Sequence, residues 1–386
     1  MDEFSQPIYL DYNATTPHDP EVIAAMRPYL EAHFGNPSSS YPYGRKTREA
    51  IKTARFHVAA SLNCSPEEIV FTSGGTESNN FAIRGIALSR KNQGRHIITS
   101  RIEHPAVSAV CEKLKREGFE ITFLPVDTQG LVSPGDVEKA IRPDTILITL
   151  MHANNEVGSI QPIEEVSALA RSYGIAMHTD AAQCVGKIST DVQILGVDLL
   201  TVAGHKVYAP KGVGALYIRD GLGLERLMEG ANQENGLRPG TENVLEIVGL
   251  GKACEIAFTD LSRNHEHLLK MRDMLEGNLL KIVPGIKVNG HTIKRLPNTL
   301  SISVQGVDAG MLLTRVEKHL AISAGAACHS GTTQISHVLQ AMQVPEEWAL
   351  GTLRLSTGRM TTKTEIEAAV SILAEAVDVY RSERRA

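Results

Sequence analysis

The chain has 386 residues and 42% hydrophobic content, enough for a large core and more than one structural unit. Glycine is abundant at 32, aromatics make up 5% and charged residues 22%, a balance that suits an α/β enzyme and excludes disordered and fibrous classes. A formal net charge of -5, with no long Lys/Arg run, argues against nucleic acid and anionic membranes as partners.

The first residues, Met1 to Gln6, are acidic and polar, unlike a signal peptide, and no apolar stretch is long enough to span a bilayer. A cytoplasmic location is therefore expected. Pro28 to Phe34 reads as the end of a helix, Gly35 to Ser40 as a turn-rich loop, and a helix is predicted from about Lys46 to Leu62. Glu68 to Thr72 reads as a strand, Ser73 to Thr76 as a turn, and Glu77 to Ser89 as a helix. Further strands are predicted at His96–Ser100, Glu120–Leu124 and Thr145–Leu150, separated by helices near 105–117, 134–141 and 162–172. Short apolar strands alternating with longer helices predict a largely parallel sheet covered by helices.

Ile175–Thr179 and Leu199–Val202 continue that sheet, and Ala215–Ile218 is expected to add an antiparallel strand. A new unit starts near 260, with a strand at Leu300–Val304 and a helix around Gly310–His319. Thr362 and Glu365 have capping-box spacing, after which Ile366, Val370, Leu373, Val377 and Tyr380 mark one face of a terminal helix.

Gly204-His205-Lys206 forms a turn between two apolar runs, which places one lysine amine at the mouth of the sheet. Such an amine can form a Schiff base with an aldehyde, the anchoring chemistry of pyridoxal phosphate enzymes, although most lysines in turns are solvated charges. The run Phe71 to Glu77 sets Gly74, Gly75 and Thr76 between a strand and a helix start, where free N–H groups bind phosphate; an ordinary strand-to-helix turn looks the same. Asp180 ends a strand at the ligand edge of a parallel sheet. There it either pairs with a protonated ring nitrogen or caps a helix.

Gln183 and Asn155 are placed to reach a ring oxygen, and His104 to stack on a flat ring, with a surface histidine as the alternative. Arg354 is either an exposed strand residue or a bidentate holder of a substrate carboxylate. His152 has no second metal ligand at useful spacing, so no metal site is expected. The five cysteines show no C-x-x-C spacing, which favours free thiols. Cys328 alone lies in a small, polar run, Ser323 to Thr333, with His329 beside it to lower its pKa; Cys64, Cys111, Cys184 and Cys254 read as buried and inert.

In order along nearly the whole chain, Tyr9–Pro17, Gly35–Ser39, Thr72–Asn79, Glu103–Pro105, Asn154–Glu156, His178–Gln183, Gly204–Lys206, Arg238–Asn243 and Cys328 form a pattern. It closely resembles the cysteine desulfurase and selenocysteine lyase family of class V aminotransferase-like, fold type I pyridoxal phosphate enzymes. The resemblance implies an α/β fold with a mostly parallel central sheet covered by helices, in a large cofactor-binding domain (15–258). A smaller α+β domain (1–14 and 259–386) would carry the catalytic-cysteine loop. It implies Lys206 as the covalent lysine, Asp180 on the pyridine nitrogen, His104 stacked on the ring, and Gln183 and Asn155 near its phenolic oxygen. Gly75, Thr76 and His205 would hold the phosphate, with Thr241 reaching it from the other subunit of a homodimer.

Arg354 and Asn13 would receive the carboxylate of an amino-acid substrate, and Cys328 would take up sulfur as a persulfide on a mobile loop, for delivery to an acceptor or scaffold protein. An ordinary aminotransferase would leave that loop unexplained. The family more often has serine in place of Ala203 and histidine in place of Tyr41. Ala324–Ser330 and Arg238–Asn243 look like the selenocysteine lyase branch, whereas the Cys328 loop has the length of the iron–sulfur supply enzymes. Cysteine desulfurase is the reading favoured here, with selenocysteine lyase as the alternative.

Overall fold

The computed structural model describes residues 6–329 and 332–384, with the side chains of 326–329 and 332–334 outside the described part. Its larger sheet has seven strands, in the order Ile69–Thr72, Gly214–Ile218, Leu199–Ala203, Ala176–Asp180, Thr145–Met151, His96–Ser100 and Glu120–Leu124. All neighbours are parallel except Gly214–Ile218, which runs antiparallel to both strands beside it, as its sequence position implies.

The strands are apolar without alternation because helices cover both faces. Along each strand successive side chains serve opposite layers: Ile98 and Leu200 join one apolar cluster, while Ile97 and Leu199 join the other. Each such fully buried aliphatic side chain contributes roughly 1.5–3 kcal/mol. The edge strand Glu120–Leu124 is only partly buried.

A second, antiparallel sheet has the order Ser323–Ala324, Thr352–Ser356, Thr299–Val304 and Ile286–Asn289. Its own core includes Leu275, Leu279, Leu300, Leu312, Leu353 and Leu373. Ile8–Tyr9 pairs parallel with Leu320–Ala321, so the start of the chain is tied to this second unit. The terminal helix Lys363–Glu383 opens on the expected capping box, with Glu365 N–H donating to Thr362 Oγ1 and Thr362 N–H to Glu365 Oε2.

Helix ends are where the sequence reading drifts. The first helix covers Pro20–Glu31 and the next starts at Pro42, whose fixed φ suits the first helical position. The helix expected to reach His319 stops at Val316, where the His319 N–H turns back to the Val316 carbonyl.

Candidate active site

The C-terminal ends of Thr145–Met151, Ala176–Asp180 and Leu199–Ala203 open onto a cavity of about 450 Å³. This edge is where open α/β sheets bind ligands. Of the residues singled out from sequence, Asn13, Gly75, Thr76, His104 and Asn155 line it. Asp180, Gln183, His205, Lys206 and Arg354 line it as well.

Lys206 ends a single 3-10 turn, Gly204–Lys206, that follows directly on a buried strand. Its amine donates to the carbonyls of Asn13 and, at 2.8 Å, Ala14. Burial, aided by the nearby Arg354 charge and opposed by Asp11 and Asp180, pulls this amine down to about 8. Two residues on, Tyr208 sits at φ +68°, an unusual backbone state for a non-glycine residue. Thr16 Oγ1 accepts its N–H at 2.9 Å, and the Arg359 guanidinium lies 3.8 Å from its ring centroid. These contacts hold the strained turn behind the lysine.

Asp180 is 7% exposed and accepts two hydrogen bonds: Asn79 Nδ2 donates to Oδ2 at 2.7 Å and Ala182 N–H to Oδ1 at 2.9 Å. The carboxylate is thus held from both sides rather than capping a regular helix. Opposite it, Gly74 at φ +146° makes the tight turn into the helix Gly75–Ser89. No side chain caps that helix. Gly75 and Thr76, which line the cavity, thus carry first-turn N–H groups that no side chain caps. Ala203 lines the same cavity, 3.2 Å from where a Cβ on Gly75 would lie.

His205 Nδ1 meets Thr15 Oγ1 at 3.2 Å, and burial with the Lys206 charge beside it pulls this imidazole down to about 4. It is neutral at physiological pH. His104 is lowered by burial, against the opposing pull of Asp180; its Nδ1 accepts the Ala106 N–H at 3.1 Å and starts the helix Pro105–Arg116. His104 lines the cavity while its side chain stays exposed.

Arg354 forms the far wall. One of its terminal nitrogens donates to Asp11 Oδ1 at 2.7 Å and Ser323 Oγ at 3.0 Å, and the other to the Asn155 carbonyl at 3.2 Å. Its Nε is buried without a partner among the described residues. Asn13 joins the two units: Nδ2 donates to Thr299 Oγ1 at 2.8 Å and to the Asn155 carbonyl at 3.1 Å.

One expected residue lies elsewhere, and the side chain of another falls outside the described residues. Thr241 is exposed and does not line the cavity of its own chain. Cys328 falls on the strand Ala326–His329, which pairs antiparallel with Thr332–Ile335 and sets Cys328 opposite Thr333; its side chain lies outside the described residues. Cys111, Cys184 and Cys254 are buried and Cys64 is partly so, with burial raising all four thiols. Among the described residues no metal-binding cluster occurs, and no helix is long and apolar enough to cross a membrane.

Sequence reasoning missed three neighbours. Asn79 lies one helical turn beyond Gly75, a spacing that could have flagged it. Asp11 pairs with a residue 343 positions away, which no local pattern reveals. Glu103, wholly buried, accepts from Ser100 Oγ at 2.5 Å and from Met151 N–H at 3.0 Å, and burial raises it to about 8.

The aminotransferase class-V family model matches residues 8–369. The chain belongs to the class-V aminotransferase family. Within that family, the cysteine desulfurase IscS of Dictyoglomus turgidum is 47% identical, the match covering 97% of this chain and 95% of the relative. The cysteine desulfurase IscS of Methanosarcina thermophila is 46% identical, with 98% and 94% covered. Among solved structures, a NifS-like protein superposes with a TM-score of 0.91 at 36% identity, over 97% of this chain and all of that one. A structure described as SspA in complex with cysteine gives 0.80 at 38% identity, over 92% of this chain and 99% of that one.

Proposed function

We propose that the chain is a pyridoxal phosphate-dependent cysteine desulfurase that converts L-cysteine to L-alanine and takes the sulfur onto Cys328. One observation carries the reading: a lysine amine, a hydrogen-bonded carboxylate and an uncapped helix start line a single cavity. Those groups suit, in turn, the aldehyde, the ring nitrogen and the phosphate of that cofactor. The cysteine desulfurases among its relatives, matched over nearly their whole length, supply the substrate.

When bound, the cofactor supplies an electron-poor ring that stores charge from the substrate's α-carbon. Lys206 would hold the aldehyde, and its free amine would take the α-proton, a task suited to an amine brought down to about 8. Asp180 would pair with the ring nitrogen, His104 would stack on the ring, and Gln183 and Asn155 would serve its phenolic oxygen. Gly75, Thr76 and His205 would take the phosphate. Arg354 and Asn13 would orient the substrate carboxylate, Nη1 of Arg354 having one of its two hydrogens uncommitted among the described residues. The Cys328 thiolate attacks the substrate sulfur: an S–S bond forms, the Cβ–S bond breaks, and the electron pair left on carbon is protonated to give alanine.

The chain works as a homodimer in this reading, Thr241 completing the partner copy's phosphate site. Its exposure fits that role, as do the stacked rings of Phe34 and Tyr43, 81% and 59% exposed, which a second copy would cover. The units are a cofactor domain (15–258) and a smaller one (1–14 and 259–386). The location is the cytoplasm, with a sulfur-acceptor protein as the further partner.

The test is alanine release from L-cysteine and from L-selenocysteine by the cofactor-loaded protein and its Cys328→Ala variant. Turnover of cysteine that is lost in the variant supports the assignment. Turnover of selenocysteine alone would make the chain a selenocysteine lyase, and a requirement for a 2-oxo acid would make it an aminotransferase.

A further inference from the structure

Lys187 is a lysine without an evident purpose. It is 5% exposed, four residues beyond Gln183, and donates to Gln183 Oε1 at 3.0 Å and to Asn13 Oδ1 at 3.4 Å. Gln183 Nε2 in turn donates to the Asn13 carbonyl at 2.9 Å, the same oxygen that accepts from Lys206. Asn298 Nδ2 fixes Asn13 Oδ1 from the other side at 3.0 Å. Two lysine amines therefore meet on the two oxygens of one asparagine. They also line a common narrow cleft with Tyr12, Tyr208 and Arg359.

We propose that Lys187 is a positioning residue of this site: its amine fixes the Gln183 carboxamide and Asn13, and it competes with Lys206 for a proton. A charged amine only donates, so Gln183 turns Oε1 toward it, and Nε2, bonded to the Asn13 carbonyl, keeps one hydrogen uncommitted among the described residues. The groups that face Lys187 are Lys206, Arg354 and Cys184, and its carbonyl meets His265 Nδ1 at 2.9 Å. Lys206 faces Arg354, Asp11, Asp180, His104 and His205. No carboxylate among the described residues pairs with Lys187. Burial, then repulsion from Lys206, brings it down to about 7. With two cations at such spacing, protonation of one disfavours protonation of the other.

This inference rests on the proposed cofactor for one of its two measurements. In the first, protein loaded with pyridoxal phosphate is titrated and the pH midpoint of the bound cofactor's visible absorption is read. Lys187→Met removes a cationic neighbour, so the midpoint is expected to rise by about one unit, and Lys187→Arg to bring it back. A merely structural lysine would lower thermal stability and leave the midpoint in place, which overturns the proposal. The second measurement uses cofactor-free wild-type protein labelled at lysine 13Cε. One lysine other than Lys206 is expected to titrate near pH 7, about three units below an ordinary lysine, and to shift in a Lys206→Ala variant. If every lysine but Lys206 titrates in the ordinary range, the proposal fails whether or not Lys187→Met folds. Wild-type protein that takes up no pyridoxal phosphate would refute the proposed function instead, leaving the second measurement to decide on Lys187.

Discussion

Replacing Asn79 by alanine separates a residue that serves the site from one that serves the fold. Asn79 Nδ2 donates to Asp180 Oδ2 at 2.7 Å, while its Oδ1 is buried with no partner among the described residues. Loss of a hydrogen bond to a charged group costs about 1.5–3 kcal/mol, and removal of an orphaned acceptor returns about 1–2 kcal/mol. The cofactor-free protein should therefore lose only about 1 kcal/mol. At about 2.1 cal/mol/K per residue, a chain of 386 residues unfolds with an entropy near 0.8 kcal/mol/K, so Tm should drop by only ~1 °C.

Cofactor affinity should respond far more, because Asp180 loses one of the two donors that aim it. A loss of about 1.5–3 kcal/mol corresponds to roughly 10- to 150-fold in Kd. Absorbance titration of the cofactor-free variant with pyridoxal phosphate, beside a thermal melt, reads both quantities. A Tm lowered by many degrees with unchanged Kd would refute the reasoning and make Asn79 a residue of the fold.

Ala203→Ser adds a hydroxyl beside Gly75 and should tighten pyridoxal phosphate binding by about 1 kcal/mol, roughly fivefold, in the same titration. Unchanged or weaker binding would show that the phosphate lies elsewhere. Glu103 binds its proton more tightly folded than unfolded, so its stabilisation is complete below pH 4.5 and is lost as pH rises toward about 8. Glu103→Gln should therefore gain Tm relative to wild type across that window; parallel melting curves would count against the burial argument.

The sheet was readable because its strands are short, apolar and separated by helices, and a parallel strand needs such a crossover. Asp180 and Lys206 were readable as partners in one site because each follows a strand of that sheet, and the C-terminal ends of parallel strands converge. Arg354 could be named from its setting in an apolar alternation, but not the Asp11 carboxylate that holds it, since the two are far apart in sequence. Burial decides the chemistry of Glu103 and Lys187, and no pattern of spacing announces that a charged residue will be enclosed. Thr241 shows a different limit: its proposed partner is a second copy, which one chain's sequence does not place.

The route of residues 8–16 has a consequence for how the protein is made. Ile8–Tyr9 pairs with Leu320–Ala321, Asp11 with Arg354, Asn13 with Thr299, and Thr16 with His205. Three of those four partners lie beyond residue 298, so this segment waits for chain that is made much later. Lys206 and the seven strands around it are complete long before the wall that faces them, and closing contacts of such sequence separation is slow. In the proposed reading, capture of the cofactor's aldehyde would need only the early part, whereas recognition of an amino acid would need the final strand. A nascent chain stalled before Arg354 would hold the reactive lysine without the residues that select what reaches it.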